Sequence, residues 1–128
     1  MYSVFILSTG AVLGALSRWQ LGVWVNPLLN QLALGTLLAN WAGCFLIGVA
    51  MGFNLGDSQR LLFITGFLGS FTTFSSFSAE LSEKLLAEKW GEFVAVLSLH
   101  LVGGIVLTIC GIVLTICGIL LTRCLTSG

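Results

Sequence analysis

The chain has 128 residues, of which 57% are hydrophobic and 8% charged, and its five basic and five acidic residues cancel. A soluble domain of this size carries roughly a quarter of its residues as charges, so a mean hydropathy of +1.07 marks an integral membrane protein. No basic patch stands out, which excludes nucleic acid as a partner.

A transmembrane helix needs about 20 mostly apolar residues, and the chain divides into four such stretches. The first is expected over 4–25; it contains Arg18 and ends near Asn26-Pro27. Its apolar start has no basic leader and continues past Arg18, so it reads as a span rather than a removable signal peptide. The second is expected over 32–53, followed by a short polar loop from Asn54 to Arg60. The third is expected over 61–85, although its purely apolar part reaches only Leu68. A charged turn with Lys84, Glu88, Lys89 and Glu92 leads to the fourth, over 93–121. The expected architecture is all-α, one four-span membrane domain over residues 1–128 with both termini on the same side.

Small residues recur at helical spacing. Gly10, Gly14 and Arg18 are four apart in the first span, and Gly35, Ala39 and Gly43 repeat the pattern in the second. Such stripes let helix backbones approach closely. In the fourth span Gly104 to Cys110 recurs identically as Gly111 to Cys117, and Gly118 opens a third copy. This span exceeds what the bilayer requires, so it either tilts or projects beyond the lipid. Cys110, Cys117 and Cys124 are spaced by seven. That is about 10 Å along a helix, too far for a disulfide, and with Cys44 they read as small membrane residues.

Basic residues near span ends normally fix orientation. Arg60 and Arg123 fall on one side, Lys84 and Lys89 on the other, and Arg18 and the amino terminus offset each other. The tie is what chance gives in a chain with few charges. It is also what dual topology requires, with copies inserted both ways and paired antiparallel. Four spans are too thin to enclose a pore, which favours an oligomer.

The run Gly66 to Ser78 combines two Gly, six Ser or Thr and four Phe without a charge. It is expected to break the third helix near the bilayer midplane, where freed carbonyls need new partners. A bound cation at the Gly69–Thr72 break is one answer, as in discontinuous transporter helices. Asn40 lies mid-span with Thr36 one turn before it. It reads either as an interhelical hydrogen bond or as a neutral N–H donor for a small anion. Phe74 and Phe77 flank Ser75-Ser76; their ring edges carry partial positive charge and can face an anion, or the rings pack in the core. Arg18 is expected to snorkel, to cap carbonyls or to attract an anion. Glu80 caps the second half of the broken helix or meets the conduction path. His100, with Gly104 and Thr108 at successive turns, forms a polar track or simple packing. No nucleophile–base pair, metal-ligand cluster or phosphate loop is present, so catalysis is not expected.

These residues carry a resemblance. Gly10-x-x-x-Gly14-x-x-x-Arg18, Gly35-Thr36-Leu37-Leu38-Ala39-Asn40-x-x-Gly43 and the run from Gly66 to Glu80 make the chain similar to the small bacterial fluoride channels known as Fluc or CrcB proteins. The resemblance covers all four spans. It implies passive, fluoride-selective export across the inner membrane by an antiparallel dual-topology homodimer with two pores. It implies Asn40, Phe74 and Phe77 as anion ligands, with Thr36 and Ser75 as polar neighbours. It also implies that the carbonyls of Gly69 and Thr72 from both subunits hold a structural sodium ion, and that Arg18 and Glu80 matter to function. Where the family usually has Gly-Gly-Leu-Thr-Thr, this chain has Gly69-Ser70-Phe71-Thr72-Thr73. On the fourth span, His100 and Thr108 are candidate substitutes for the family's Tyr and Ser. The alternative is a small four-span, dual-topology multidrug transporter. Such a carrier needs a membrane carboxylate, typically in its first span, and this first span has none.

Overall fold

A computed structural model of the chain describes residues 1–29 and 32–126. Among these the backbone is helical with no strand. Four helical stretches are long and apolar enough to cross a membrane: Tyr2–Leu28, Leu34–Gly52, Asp57–Leu86 and Trp90–Thr126.

The first stretch contains α1 (Tyr2–Val25), which tightens into a 3-10 turn over Asn26–Leu28. Pro27 has no N–H to continue an α-helical ladder. α2 (Leu34–Gly52) begins with N–H groups that have no intrahelical partner. Two are met from outside the helix: Asn26 Oδ1 accepts from the Gly35 N–H at 2.7 Å, and Glu80 Oε1 accepts from the Ala33 N–H at 2.9 Å.

α3 covers 57–71 and changes character along its length. Asp57–Gln59 is α-helical, Arg60–Leu68 is π-helical with wider turns, and Gly69–Phe71 is a final α turn. Hydrophobic periodicity carried no sign of the π-helical part. Thr72 and Thr73 are then extended, with φ −83°, ψ 158° and φ −149°, ψ 112°. α4 (Phe74–Leu86) resumes the helix, and Thr73 Oγ1 caps its start by accepting from the Ser76 N–H.

α4 closes in a Schellman motif: the Lys89 N–H donates to the Lys84 carbonyl and the Glu88 N–H to the Leu85 carbonyl. Glu88 holds the left-handed position, at φ 55°. A side chain there costs about 1 kcal/mol that glycine avoids. Glu88→Gly is therefore expected to raise thermal stability in detergent by about that amount, measured as the midpoint of unfolding. α5 (Trp90–Thr126) follows with 37 residues, about 55 Å at the usual helical rise. Lys84 and Lys89 both pair with Glu92 across the turn.

α1 packs on α3 and α2 packs on α5, with smaller α1–α2 and α4–α5 contacts. The small-residue stripes lie in these seams. A methyl at Gly10 would strike the Leu62 carbonyl, and one at Gly14 the Phe67 carbonyl. Across the other seam, Gly48 faces the Thr108 carbonyl and Gly111 the Phe45 carbonyl. The seams are thus backbone against backbone, which only residues without bulk permit. The heptad repeat of α5 supplies both glycines and threonines here: Thr108 donates to the Cys44 carbonyl and Thr115 to the Val49 carbonyl. Gly118, in the third copy, has nothing within 4 Å of its Cβ position. The four cysteines are free.

Candidate functional site

The site is built around the two extended residues between α3 and α4. In an uninterrupted helix the Thr73 N–H would serve the Gly69 carbonyl, and the Ser76 N–H the Thr72 carbonyl. Both donors are diverted. The Thr73 N–H donates to Asn40 Oδ1 at 2.8 Å, and the Ser76 N–H to Thr73 Oγ1 at 3.2 Å. The Ser70 carbonyl, also beyond the ladder, accepts from Arg18 Nε at 3.2 Å. The cationic Arg18 thus sits against the C-terminal, partially negative end of α3. Gly69 and Thr72 lie together on the wall of one groove, and their released carbonyls are neutral oxygen donors of the kind a hard cation takes.

Asn40 locks the break in place. Besides accepting from the Thr73 N–H, its Nδ2 donates to the Thr73 carbonyl at 3.1 Å. The side-chain amide therefore pairs with both backbone groups of one residue, across from α2. An amide has two N–H bonds, so one of the two remains for another acceptor. Thr73, buried and bound through backbone and hydroxyl alike, was not singled out by sequence. The only hint was its place in a hydroxyl-rich run.

The groove beside the break has a volume of about 360 Å³ and brings together Asn40, Gly69, Thr72, Phe74, Phe77 and His100. These residues come from four helices. Phe74 and Phe77 meet edge to face, with centroids 5.7 Å apart. Phe74 is 77% exposed in the protomer while Phe77 is 6% exposed, so one ring forms the open rim and the other the floor. The floor continues into His100, whose ring centroid is 4.4 Å from that of Phe77. His100 Nδ1 lies 3.0 Å from the Val96 carbonyl oxygen. His100 also lines an adjoining groove of about 330 Å³ that runs to Thr108. The Thr108 hydroxyl is occupied, donating toward the Cys44 and Gly104 carbonyls, so it offers the groove an acceptor and not a donor.

Ser75 is exposed, with its Oγ 3.3 Å from Thr73 Oγ1. Thr36 and Glu80 line a separate cavity of about 520 Å³ on the other side of the break, and Thr36 also shares a cavity with Arg18. Glu80 is buried and caps α2, while Thr73 caps α4. Eight of the nine anion-path candidates, all but Ser75, are thus spread along a series of cavities rather than gathered at one point. Asn26, which caps α2 and lines the Arg18 cavity, joins them without having been marked in the sequence.

The two helix ends at the break have opposite polarity. The C-terminus of α3 favours a cation, and the N-terminus of α4, just before Phe77, favours an anion. A neutral amide, two aromatic rings and a positive helix end are thus grouped at the groove, and no Lys or Arg lines it among the described residues.

Residues 5–112 match the family model described as CrcB-like protein, Camphor Resistance (CrcB). A protein of Haemophilus ducreyi named fluoride-specific ion channel FluC is 62% identical over 109 residues, covering 85% of this chain and 88% of the relative. A Pasteurella multocida protein of the same name is 48% identical over 110 residues, covering 82% and 86%. One from Mannheimia succiniciproducens, again of that name, is 45% identical over 111 residues, covering 83% and 87%. Those relatives are ion channels and not enzymes. The family match stops just inside the second copy of the α5 heptad. The chain belongs to the CrcB family of membrane proteins.

Proposed function

We propose that this chain forms a fluoride-selective channel that lets cytoplasmic fluoride leave the cell passively across the bacterial inner membrane. The observation that carries this reading is the groove at the break. Asn40, whose amide keeps one N–H beyond the bond to Thr73, lines it together with Phe74 and Phe77, and no charged residue lines it among the described residues. A fixed cation would hold fluoride too tightly for fast passage; neutral donors allow it to bind and leave. Phe rings also shed water, so a small, strongly hydrated anion exchanges its shell for donors placed along the path. Thr36, Ser75 and Arg18 belong to the approach from one side, and His100 and Thr108 to the other. Glu80 serves the path by fixing the start of α2.

The functional unit is an antiparallel dual-topology homodimer with two pores. The balanced charge of the span ends supports both orientations, and the open rim at Phe74 asks for a covering partner in a membrane. In that dimer the third helix of each subunit is broken near the midplane. The Gly69 and Thr72 carbonyls of both copies would hold a structural sodium ion, which would supply positive charge between the subunits. Arg18 and Asn40 keep those carbonyls in place by taking up the neighbouring backbone groups. Fluoride enters acid-exposed cells as neutral HF, dissociates in the cytoplasm, and leaves through the pores along its electrochemical gradient. Expression in bacteria that lack their own fluoride export tests the reading. Growth on millimolar fluoride is expected to be restored, and growth no better than an empty vector contradicts it. Phe77→Ile is expected to weaken the rescue while preserving protein level on an immunoblot, because it keeps apolar bulk and removes the ring edge.

A further inference from the structure

The groove at the break has two walls, and adjacent residues of α2 hold them. Asn40 fixes one by pairing with both backbone groups of Thr73. Trp41 reaches the other way, to α5. Its indole N–H donates to the Leu99 carbonyl at 2.9 Å. Its ring lies against Gly103, where a Cβ would come 2.6 Å from the indole nitrogen. Leu99 and Gly103 bracket His100 and Leu101, the α5 residues that line the groove. Trp41 is half-buried and is not itself part of that lining.

The bond from Trp41 constrains α5 more than the other polar contacts of the same seam. Thr108 and Thr115 also donate across it, to the Cys44 and Val49 carbonyls. Each hydroxyl, however, has a second acceptor on α5 itself, at Gly104 or Gly111, and keeps it wherever α2 lies. Among the described residues the indole N–H bonds across the seam alone. A buried donor left unmet is costly where no water can replace its partner. A bulky, flat ring tied at its polar tip to one carbonyl and pressed on a bare glycine leaves α5 little room to slide or roll. The constraint reaches the groove floor as well, since the His100 ring lies 4.4 Å from that of Phe77.

We propose that Trp41 is a positioning residue for the anion path: by pinning α5 to α2 on both sides of His100 and Leu101, it sets the width of the groove and so the discrimination of fluoride from larger anions. This rests on the channel reading. Trp41 meets no permeating ion and acts through the wall it holds. Selectivity among ions of one charge depends on pore width and on how its donors are spaced. A wall free to move away from Asn40 loses both, and chloride, the larger halide, then fits where fluoride does.

The test is a reversal potential, which reports the ions that pass and not the number of channels present. Purified protein is placed in a planar bilayer with potassium fluoride on one side and potassium chloride on the other. The wild type is expected to reverse as a fluoride-selective pore. Trp41→Phe keeps an aromatic ring but deletes the N–H, and Gly103→Ala keeps Trp41 but wedges a methyl against its indole. Both are expected to elute as assembled protein in detergent and to raise the chloride-to-fluoride permeability ratio several-fold. A purely structural contact would change yield and leave that ratio alone. Wild-type selectivity in whichever variant assembles overturns the proposal while leaving the channel intact. An assembled variant that passes neither ion also overturns it, because a looser wall opens the path and does not block it. Failure of both variants to assemble makes the contact one of folding alone and overturns it too. No fluoride current from the wild type overturns the channel reading itself, and the proposal with it.

Discussion

Asn40→Leu is expected to abolish fluoride transport and to destabilise the protein. Leucine keeps the bulk but removes both partners of Thr73, whose N–H and carbonyl are buried and paired with the Asn40 amide. Each buried polar group left without a partner costs about 1–3 kcal/mol, and a membrane offers no water to compensate. The break then has a cheaper alternative: the Thr73 N–H can return to the Gly69 carbonyl and extend α3 by a residue. That withdraws a proposed cation ligand and displaces Phe74 and Phe77 together. Asn40→Asp separates the two roles. It retains an acceptor for the Thr73 N–H but replaces the amide donors by a carboxylate oxygen. It is expected to assemble better than the leucine variant and to transport no better. Fluoride release from vesicles, beside the unfolding midpoint of each variant in detergent, distinguishes these outcomes.

The second large effect concerns the heptad repeat. Gly111→Leu is expected to prevent assembly of α2 on α5, because its Cβ alone would collide with the Phe45 carbonyl and crowd the Val49 N–H. Backbone cannot rotate away as a side chain can. Separating two seam helices therefore costs more than the 1–3 kcal/mol typical of core overpacking, on the order of 5 kcal/mol. Gly118→Leu changes the same position of the next copy, where nothing lies within 4 Å. It is expected to leave yield and elution position in detergent unaltered. Size-exclusion chromatography of the two variants reads this directly: an aggregated or absent Gly111→Leu protein beside a monodisperse Gly118→Leu protein. Equal behaviour would mean that the repeat glycines do not set the seam.

Much of this molecule is legible because membrane helices obey few rules. Apolar length located the four helical stretches, and small-residue spacing located the α1–α3 seam at Gly10 and Gly14. The run from Gly66 to Ser78 pointed to an interruption because hydroxyls, glycines and rings without charge suit released backbone. What composition cannot supply is the identity of the partners. Arg18 meets the Ser70 carbonyl from fifty-two residues away, and Asn40 meets Thr73 from thirty-three. Such bonds join a side chain on one helix to backbone freed on another, and no periodicity encodes them. Glu80 illustrates the same limit: its position on α4 suggested a cap for its own helix, but helix crossing brings it to the start of α2. The π-helical turns over Arg60–Leu68 are also silent in the sequence, since one extra residue per turn leaves an already apolar stretch apolar.

The exposed surface of the protomer points the same way as its polar interior. Phe74 stands open at the rim, and the proposed cation site has two carbonyls where a hard ion takes more. In the proposed dimer a second copy completes both. Balanced charge at the span ends permits that copy to be inverted, which would bring one break against another without a second kind of chain.

Efflux from liposomes tests the central claim most directly. Purified protein is reconstituted at about one dimer per vesicle, the vesicles are loaded with potassium fluoride, and they are diluted into fluoride-free medium with valinomycin to carry the counter-ion. A fluoride electrode is expected to register rapid release from the protein-containing fraction, and vesicles loaded with potassium chloride are expected to retain their anion. Fluoride release no faster than from protein-free vesicles, or chloride release at the same rate as fluoride, would contradict the account.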